Sequence, residues 1–239
     1  MRVLAETGST NADLLAALAE GQRAMEGDWL LADRQVAGRG RQGRAWSDGA
    51  GNFMGSTVVS LGDGGPTAET LSFVAGLALY EAVLPFLPTP GTLTLKWPND
   101  LLLEGAKLAG ILLERSGETI VMGFGVNLAQ APELTDRPTI ALSETGPAVP
   151  RDLFAERLAA SLATELERWR SFGVELILRR WQAAAHPVGT PLTVSPPGEQ
   201  EMRGYFAGLE PNGALRLRLA DGTIRAIHAG DVMLIDGER

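Results

Sequence analysis

The chain has 239 residues, 45% of them hydrophobic and 21% charged, with a formal net charge of −8. That length suits one substantial core, or a catalytic domain plus a small appendage, and the acidic balance argues against a dedicated nucleic-acid binder, which carries a basic surplus. There is no cysteine and there are two histidines, His186 and His228. Disulfides and thiolate nucleophiles are therefore excluded, and a histidine triad or multi-histidine zinc site is not expected.

From the N-terminus, residues 1–10 show no basic region followed by an apolar stretch, so no secretory signal is visible. No apolar run reaches the roughly 18 residues of a membrane span, and a cytoplasmic protein is expected. Thr10-Asn11-Ala12-Asp13 has the form of a capping box, and Leu14, Leu15 and Leu18 follow at helical spacing, which predicts a helix over 11–20. Strands are predicted over 29–32 and 53–61, separated by a Gly- and Arg-rich stretch over 33–48. A helix over 67–86 is bounded by Pro85 and Pro88. A strand over 92–97 stops at Pro98, a hairpin over 101–114 turns at Gly105, and a further strand covers 118–128. Amphipathic helices are predicted over 151–170 and 174–184. From about Val188 short segments alternate with Pro/Gly/Asn turn signals, and Leu215, Leu217 and Leu219 alternate with Arg216 and Arg218, the period of a half-buried strand. That tail predicts a small all-β barrel.

Four segments carry candidate chemistry. Gly38-Arg39-Gly40-Arg41-Gln42-Gly43-Arg44 combines glycines, which let amides approach a ligand, with planar donors matched to phosphate and carboxylate. It reads as an anion-binding loop that orders on its ligand, or as a solvated arginine-rich loop. Lys96-Trp97-Pro98-Asn99-Asp100 precedes Lys107-Leu108-Ala109-Gly110-Ile111-Leu112-Leu113-Glu114, and the hairpin should return Lys107 to the neighbourhood of Asn99 and Asp100; Asp100 could equally be a turn residue. Lys96 and Lys107 are the only lysines among 21 basic residues, which suggests that a compact ammonium is needed there. Gly8-Ser9-Thr10-Asn11 gathers hydroxyls and an amide at a helix start, more polar groups than capping uses. Gly123-Phe124-Gly125-Val126-Asn127-Leu128 is a glycine-spaced strand, which tight packing of a neighbour against glycine would also explain.

In this order the segments, with Ala32-Asp33-Arg34-Gln35 leading into the arginine loop, resemble the biotin–protein ligase family over roughly residues 6–145. The resemblance implies an α+β fold, a mixed sheet flanked by helices in the manner of class II synthetases, with a small SH3-like C-terminal barrel. It divides the chain into a catalytic biotin- and ATP-binding domain at 1–185 and a C-terminal domain at 186–239. It implies a biotin–[acetyl-CoA-carboxylase] ligase, which adenylates biotin with ATP and Mg²⁺ and passes it to a lysine of a biotin carboxyl carrier protein. By similarity, Ser9, Thr10, Asn11 and Gln35 hold biotin. Gly38, Arg39, Gly40, Arg41 and Arg44 form the loop over biotin and adenylate. Lys107, with Arg39, is catalytic. Asn99 and Asp100 lie near the nucleotide, Asp100 as a metal ligand, and Gly110 and Asn127 belong to the matched motifs.

Where Met54 stands, the family often has an aromatic residue, so the fine shape of the biotin pocket is open. The first motif begins within ten residues of the start, which leaves no room ahead of it for a DNA-binding domain, and an enzyme without repressor function is expected. A homodimer through a sheet edge is compatible with the resemblance. The rival readings are a lipoate-type protein ligase or acyltransferase, a non-catalytic biotin-binding protein, and a nucleic-acid-binding module built on the arginine loop.

Overall fold

A computed structural model describes residues 1–47, 49–62 and 66–235. Asp48, at the end of the Gly/Arg stretch, and residues 236–239, at the end of the expected C-terminal domain, lie outside the described residues. The strands β1 (Arg2–Leu4), β2 (Trp29–Ala32), β3 (Phe53–Ser60), β4 (Leu93–Lys96), β5 (Asp100–Leu103), β6 (Ala106–Ser116) and β7 (Thr119–Val126) form one mixed sheet in the order β1-β2-β3-β7-β6-β5-β4. Only β1 and β2 run parallel; every other pairing is antiparallel. The three-residue β1 has no strong sequence signal and was not expected; it is specified by pairing with β2 rather than by its own pattern.

The two faces of this sheet have different chemistry. On β3, Phe53 packs edge-on against Phe154, ring centroids 5.3 Å apart, while Ser56, an odd number of residues away, faces the opposite side. Phe154 belongs to α3 (Arg151–Ala184), which packs with α2 (Leu71–Val83). The Phe53 face is thus the apolar core, with Trp169, Trp181, Phe73 and Leu95 buried in it. The Ser56 face carries α1 (Thr10–Ala19). Helix α1 begins one residue before the expected start: Ser9, not Thr10, is its N-cap, with its hydroxyl accepting from the Ala12 N–H. Two helices were expected between residues 151 and 184, and the break between them is Gly173, at φ 77°, inside the otherwise helical α3. Buried Glu165 bridges that break by pairing with both Arg168 and Arg180, and Arg180 also reaches Glu81 on α2 at 2.9 Å.

Contrary to the sequence expectation, Ala68–Phe86 is long and apolar enough to cross a membrane by length and composition, yet 61% of that span is buried inside the protein, where α2 is the central core helix.

The tail forms β8 (Pro191–Ser195), β9 (Met202–Leu209), β10 (Leu215–Arg218), β11 (Ile224–Ile227) and β12 (Asp231–Leu234), an antiparallel sheet in the order β11-β10-β9-β8-β12. The expected small all-β unit is present, though β11 and β12 remain its two edges and do not pair with each other. Its apolar face (Leu192, Val194, Phe206, Leu215, Leu217) is continuous with the main core. Polar ties help fix it there, among them the Trp97 indole, which donates to the Gly213 carbonyl at 3.1 Å, and Lys96 Nζ, which donates to the Val232 carbonyl at 2.9 Å.

Candidate active site

A cleft on the polar face of the main sheet has a cavity of about 250 Å³, and it gathers every predicted site residue except Gly38. Its inner wall is the start of α1. The Gln35 side-chain oxygen accepts from the Thr10 N–H at 2.7 Å and from the Thr10 hydroxyl at 3.0 Å. The Thr10 hydroxyl also lies 2.7 Å from that of Ser56, and Ser56 donates to Asn11 Oδ1 at 2.6 Å. Asn11 Nδ2 donates to Glu114 at 2.8 Å. Ser9, Thr10, Asn11, Gln35 and Ser56 are all buried, so this is a neutral polar pocket whose groups already hold one another. The sequence reading missed Ser56, an ordinary serine in a strand.

The floor is made by glycine. A Cβ on Gly123 would come within 2.2 Å of Asn11 Oδ1, and one on Gly125 within 2.3 Å of the Trp46 ring. The glycine spacing of β7 thus lets two site side chains lie flat on the strand. Met54, on the neighbouring strand, is fully buried and does not line the cleft.

The outer wall is the arginine loop, a defined hairpin: Trp46 N–H donates to Gly38 O at 2.9 Å and Gly40 N–H to Arg44 O at 2.7 Å. Gln42 (φ 57°) and Gly43 (φ 72°) make its left-handed tip. Gly38 does not line the cleft and stands behind the wall, where a Cβ would sit 3.0 Å from the Trp46 carbonyl; its lack of a side chain lets the hairpin close. Arg39 is exposed toward the cleft. Arg41 donates to Asn99 Oδ1 at 3.3 Å, and burial holds its pKa below the ordinary arginine value against the pull of Asp231 and Asp100. Arg44 pairs with Asp231 at the start of β12, so the C-terminal sheet completes the rim. Trp46, which sequence reasoning passed over, carries a buried indole N–H with no partner among the described residues.

At the far end, antiparallel pairing of Lys96 with Asp100 folds the Trp97-Pro98-Asn99 turn back on itself. The Asp100 carboxylate takes Lys107 Nζ at 2.7 Å on one oxygen and Lys96 Nζ at 3.0 Å on the other. Burial works against its charge, but the two ammoniums outweigh it and hold the carboxyl down to about 2. Asp100 is therefore an ionised anchor, and the alternative of a simple turn residue falls away. Asn127 donates to the carbonyls of Ile140 at 3.2 Å and Lys107 at 3.4 Å, which fixes the strand that carries Lys107. Gly110 lies beneath Lys107, where an added Cβ would sit 3.3 Å from Nζ.

The expectation that Asp100 ligates magnesium does not fit this arrangement. Both of its oxygens are engaged by ammoniums, and no group of three or more His, Cys, Asp or Glu among the described residues could hold an ion. What the cleft does carry is positive charge: Arg39, Arg41, Arg44, Lys96, Lys107 and Arg137 line it against Asp100, Asp136 and Asp231. In a chain of net charge −8, that surplus marks a site for anions.

Residues 7–127 match the model of the biotin/lipoate A/B protein ligase family, and residues 194–234 match the biotin protein ligase C-terminal domain. The chain belongs to the biotin/lipoate A/B protein ligase family. Within it, the chain is 41% identical to a biotin–[acetyl-CoA-carboxylase] ligase of Paracoccus denitrificans over 90% of this chain and 93% of that protein. It is 39% identical to one of Mycobacterium tuberculosis over 97% and 87%. Its fold superposes on biotin protein ligase from Aquifex aeolicus, solved in complex with biotin and ATP, with a TM-score of 0.85 and 25% identity over 98% of both chains.

Proposed function

We propose that the chain is a biotin–protein ligase that adenylates biotin with ATP and transfers it to a lysine of a biotin carboxyl carrier protein. The observation that carries this reading is that one cleft is lined both by the neutral hydrogen-bonding residues Ser9, Thr10, Asn11 and Gln35 and by the cations Arg39, Arg41, Arg44, Lys96 and Lys107. The neutral residues suit an uncharged polar ring system and the cations suit phosphates. A carboxylate and an α-phosphate would have to meet in such a cleft.

In the first step a biotin carboxylate oxygen bonds to the α-phosphorus, and the bond to the bridging oxygen breaks with its electron pair leaving on pyrophosphate. Two anions must approach, so fixed cations at the point of contact stabilise the charge that builds up. Lys107, held by Asp100, and Arg39, at the loop, are assigned that work. In the second step the acceptor lysine attacks the acyl carbon and AMP leaves. The arginine hairpin and Trp46 cover the anhydride and keep water from it. Ser9, Thr10, Asn11 and Gln35 hold biotin; Arg41, Arg44, Asn99, Gly110 and Asn127 shape or border the nucleotide side. Magnesium, in this reading, arrives on the nucleotide, since the described residues offer it no carboxylate cage.

We further place a catalytic unit at 1–185 and a C-terminal unit at 186–239, and the reaction in the cytoplasm. A homodimer would form at the free edge of β1, where Val3 is exposed. DNA is not a partner in this reading, because the chain carries a net charge of −8 where a nucleic-acid binder carries a basic surplus. The decisive test is biotin-dependent exchange of pyrophosphate into ATP. Exchange that requires biotin is expected. No exchange, with biotin still bound, would reduce the protein to a binder, and exchange driven by lipoate instead would move it to the other branch of its family.

A further inference from the structure

Arg137 lies in none of the motifs, yet the fold delivers it to the reacting end of the cleft. The segment after β7 is stitched to Lys107 on both sides: the Lys107 N–H donates to the Pro138 carbonyl at 2.9 Å, and the Ile140 N–H donates to the Lys107 carbonyl at 3.1 Å. Asn127 adds its bond to the Ile140 carbonyl. Arg137 therefore stands one residue from a backbone group fixed to the candidate catalytic lysine. Its side chain lines the cleft and is only 16% exposed.

What holds the guanidinium is weak by comparison with its neighbours. Lys96 and Lys107 share a carboxylate that is 7% exposed, whereas Arg137 pairs with Asp136, next to it in sequence and 59% exposed. A pair with one partner in water contributes little, so Arg137 can exchange Asp136 for a better acceptor at small cost. At this end of the cleft the other carboxylates are engaged, Asp100 by two lysines and Asp231 by Arg44. The acceptors that would repay two parallel guanidinium N–H bonds are phosphate oxygens.

We propose that Arg137 is a phosphate-binding residue of the nucleotide site: it leaves Asp136 and takes the pyrophosphate end of ATP beside Lys107. There it stabilises the negative charge that collects on pyrophosphate as the bond from the α-phosphorus to its bridging oxygen breaks. The inference rests on the ligase reading above and deepens it.

The test uses the full chain in biotin-dependent pyrophosphate exchange. The parent is measured first: if it shows no exchange, the ligase reading itself fails. With an active parent, Arg137→Gln is expected to raise the KM for pyrophosphate and for ATP by roughly tenfold or more, while the Kd for biotin stays at the parent value. Asp136→Asn, which frees the guanidinium, is expected to lower the KM for pyrophosphate. An unchanged pyrophosphate KM in Arg137→Gln overturns the proposal even if the ATP KM rises, since that outcome puts the side chain on the base. Should Arg137→Gln show no cooperative thermal transition, Asp136→Asn decides alone: a lower pyrophosphate KM supports the proposal, and an unchanged or higher one overturns it.

Discussion

The two walls of the cleft solve different problems. The inner wall, from α1, Gln35 and β3, is buried and neutral, and its polar groups are bound to one another. The outer wall is a charged hairpin tied down at two points, Arg41 to Asn99 and Arg44 to Asp231, with Arg39 exposed. A buried network in low dielectric is stiff and specific. Exposed cations on a hairpin are adaptable, and their attraction for a ligand grows only as the ligand excludes water. The contrast teaches that a stiff neutral network and adaptable cations are kept on separate walls of one cleft; in the proposed reaction Lys107 is where they work together.

Removing that joint should have the largest effect. Lys107→Ala is expected to slow adenylate formation by roughly 10²–10³-fold, with the thermal midpoint close to the parent because Asp100 keeps Lys96. Adenylate formed at the parent rate would show that the two walls meet elsewhere. On the inner wall, Thr10→Val removes the hydroxyl shared by Gln35 and Ser56. It is expected to cost about 1–3 kcal/mol, seen in urea denaturation, and to raise the Kd for biotin but not the KM for ATP. On the outer wall, Arg39→Ala should leave stability unchanged, because Arg39 is exposed. Its expected effect is faster loss of the adenylate to water, by roughly tenfold or less. If the stability loss fell on Arg39→Ala instead, the division between a stiff and an adaptable wall would be wrong.

The smallest effect lies where the C-terminal sheet meets β4 of the main sheet. Burial, then the nearby charge of Lys96, pushes His186 down to about 4, and its ring packs on Phe206 of the C-terminal sheet at 4.7 Å. An unfolded histidine titrates near 6.5. Between about pH 6.5 and 4 the unfolded chain therefore binds the extra proton, and stability should fall as pH is lowered through that window. The thermal midpoint of His186→Gln should show a shallower fall over the same range, whereas equal slopes would remove His186 as the cause.

Much of this site was legible before any coordinates. Ser9, Thr10, Asn11, the arginines and Lys107 announced themselves because their residue types are costly or unusual where they stand: several polar groups at one helix start, a run of arginines between glycines, two lysines in an arginine-rich chain; Gln35 was reached only through the family resemblance. Period-two and helical spacings likewise gave most strands and helices, since alternation and the 3.6-residue repeat are local properties. The cap of α1 was misplaced by one residue because Ser9 and Thr10 are equally competent caps, and the choice falls to Gln35, 25 residues away, which claims the Thr10 N–H.

By itself, then, the amino-acid order determined which chemistry is available, the division into a mixed body and a β-rich tail, and the motifs that gather in the cleft. Tertiary structure alone decided that two ammoniums share the Asp100 carboxylate, that Gly38 stands behind the wall, and that Ser56, Trp46, Arg137 and Asp231 line the cleft. The reason is physical. A residue's type limits what it can bind, but its role depends on which partners sit within hydrogen-bond reach and how much water remains, and those are set by segments far apart in the chain.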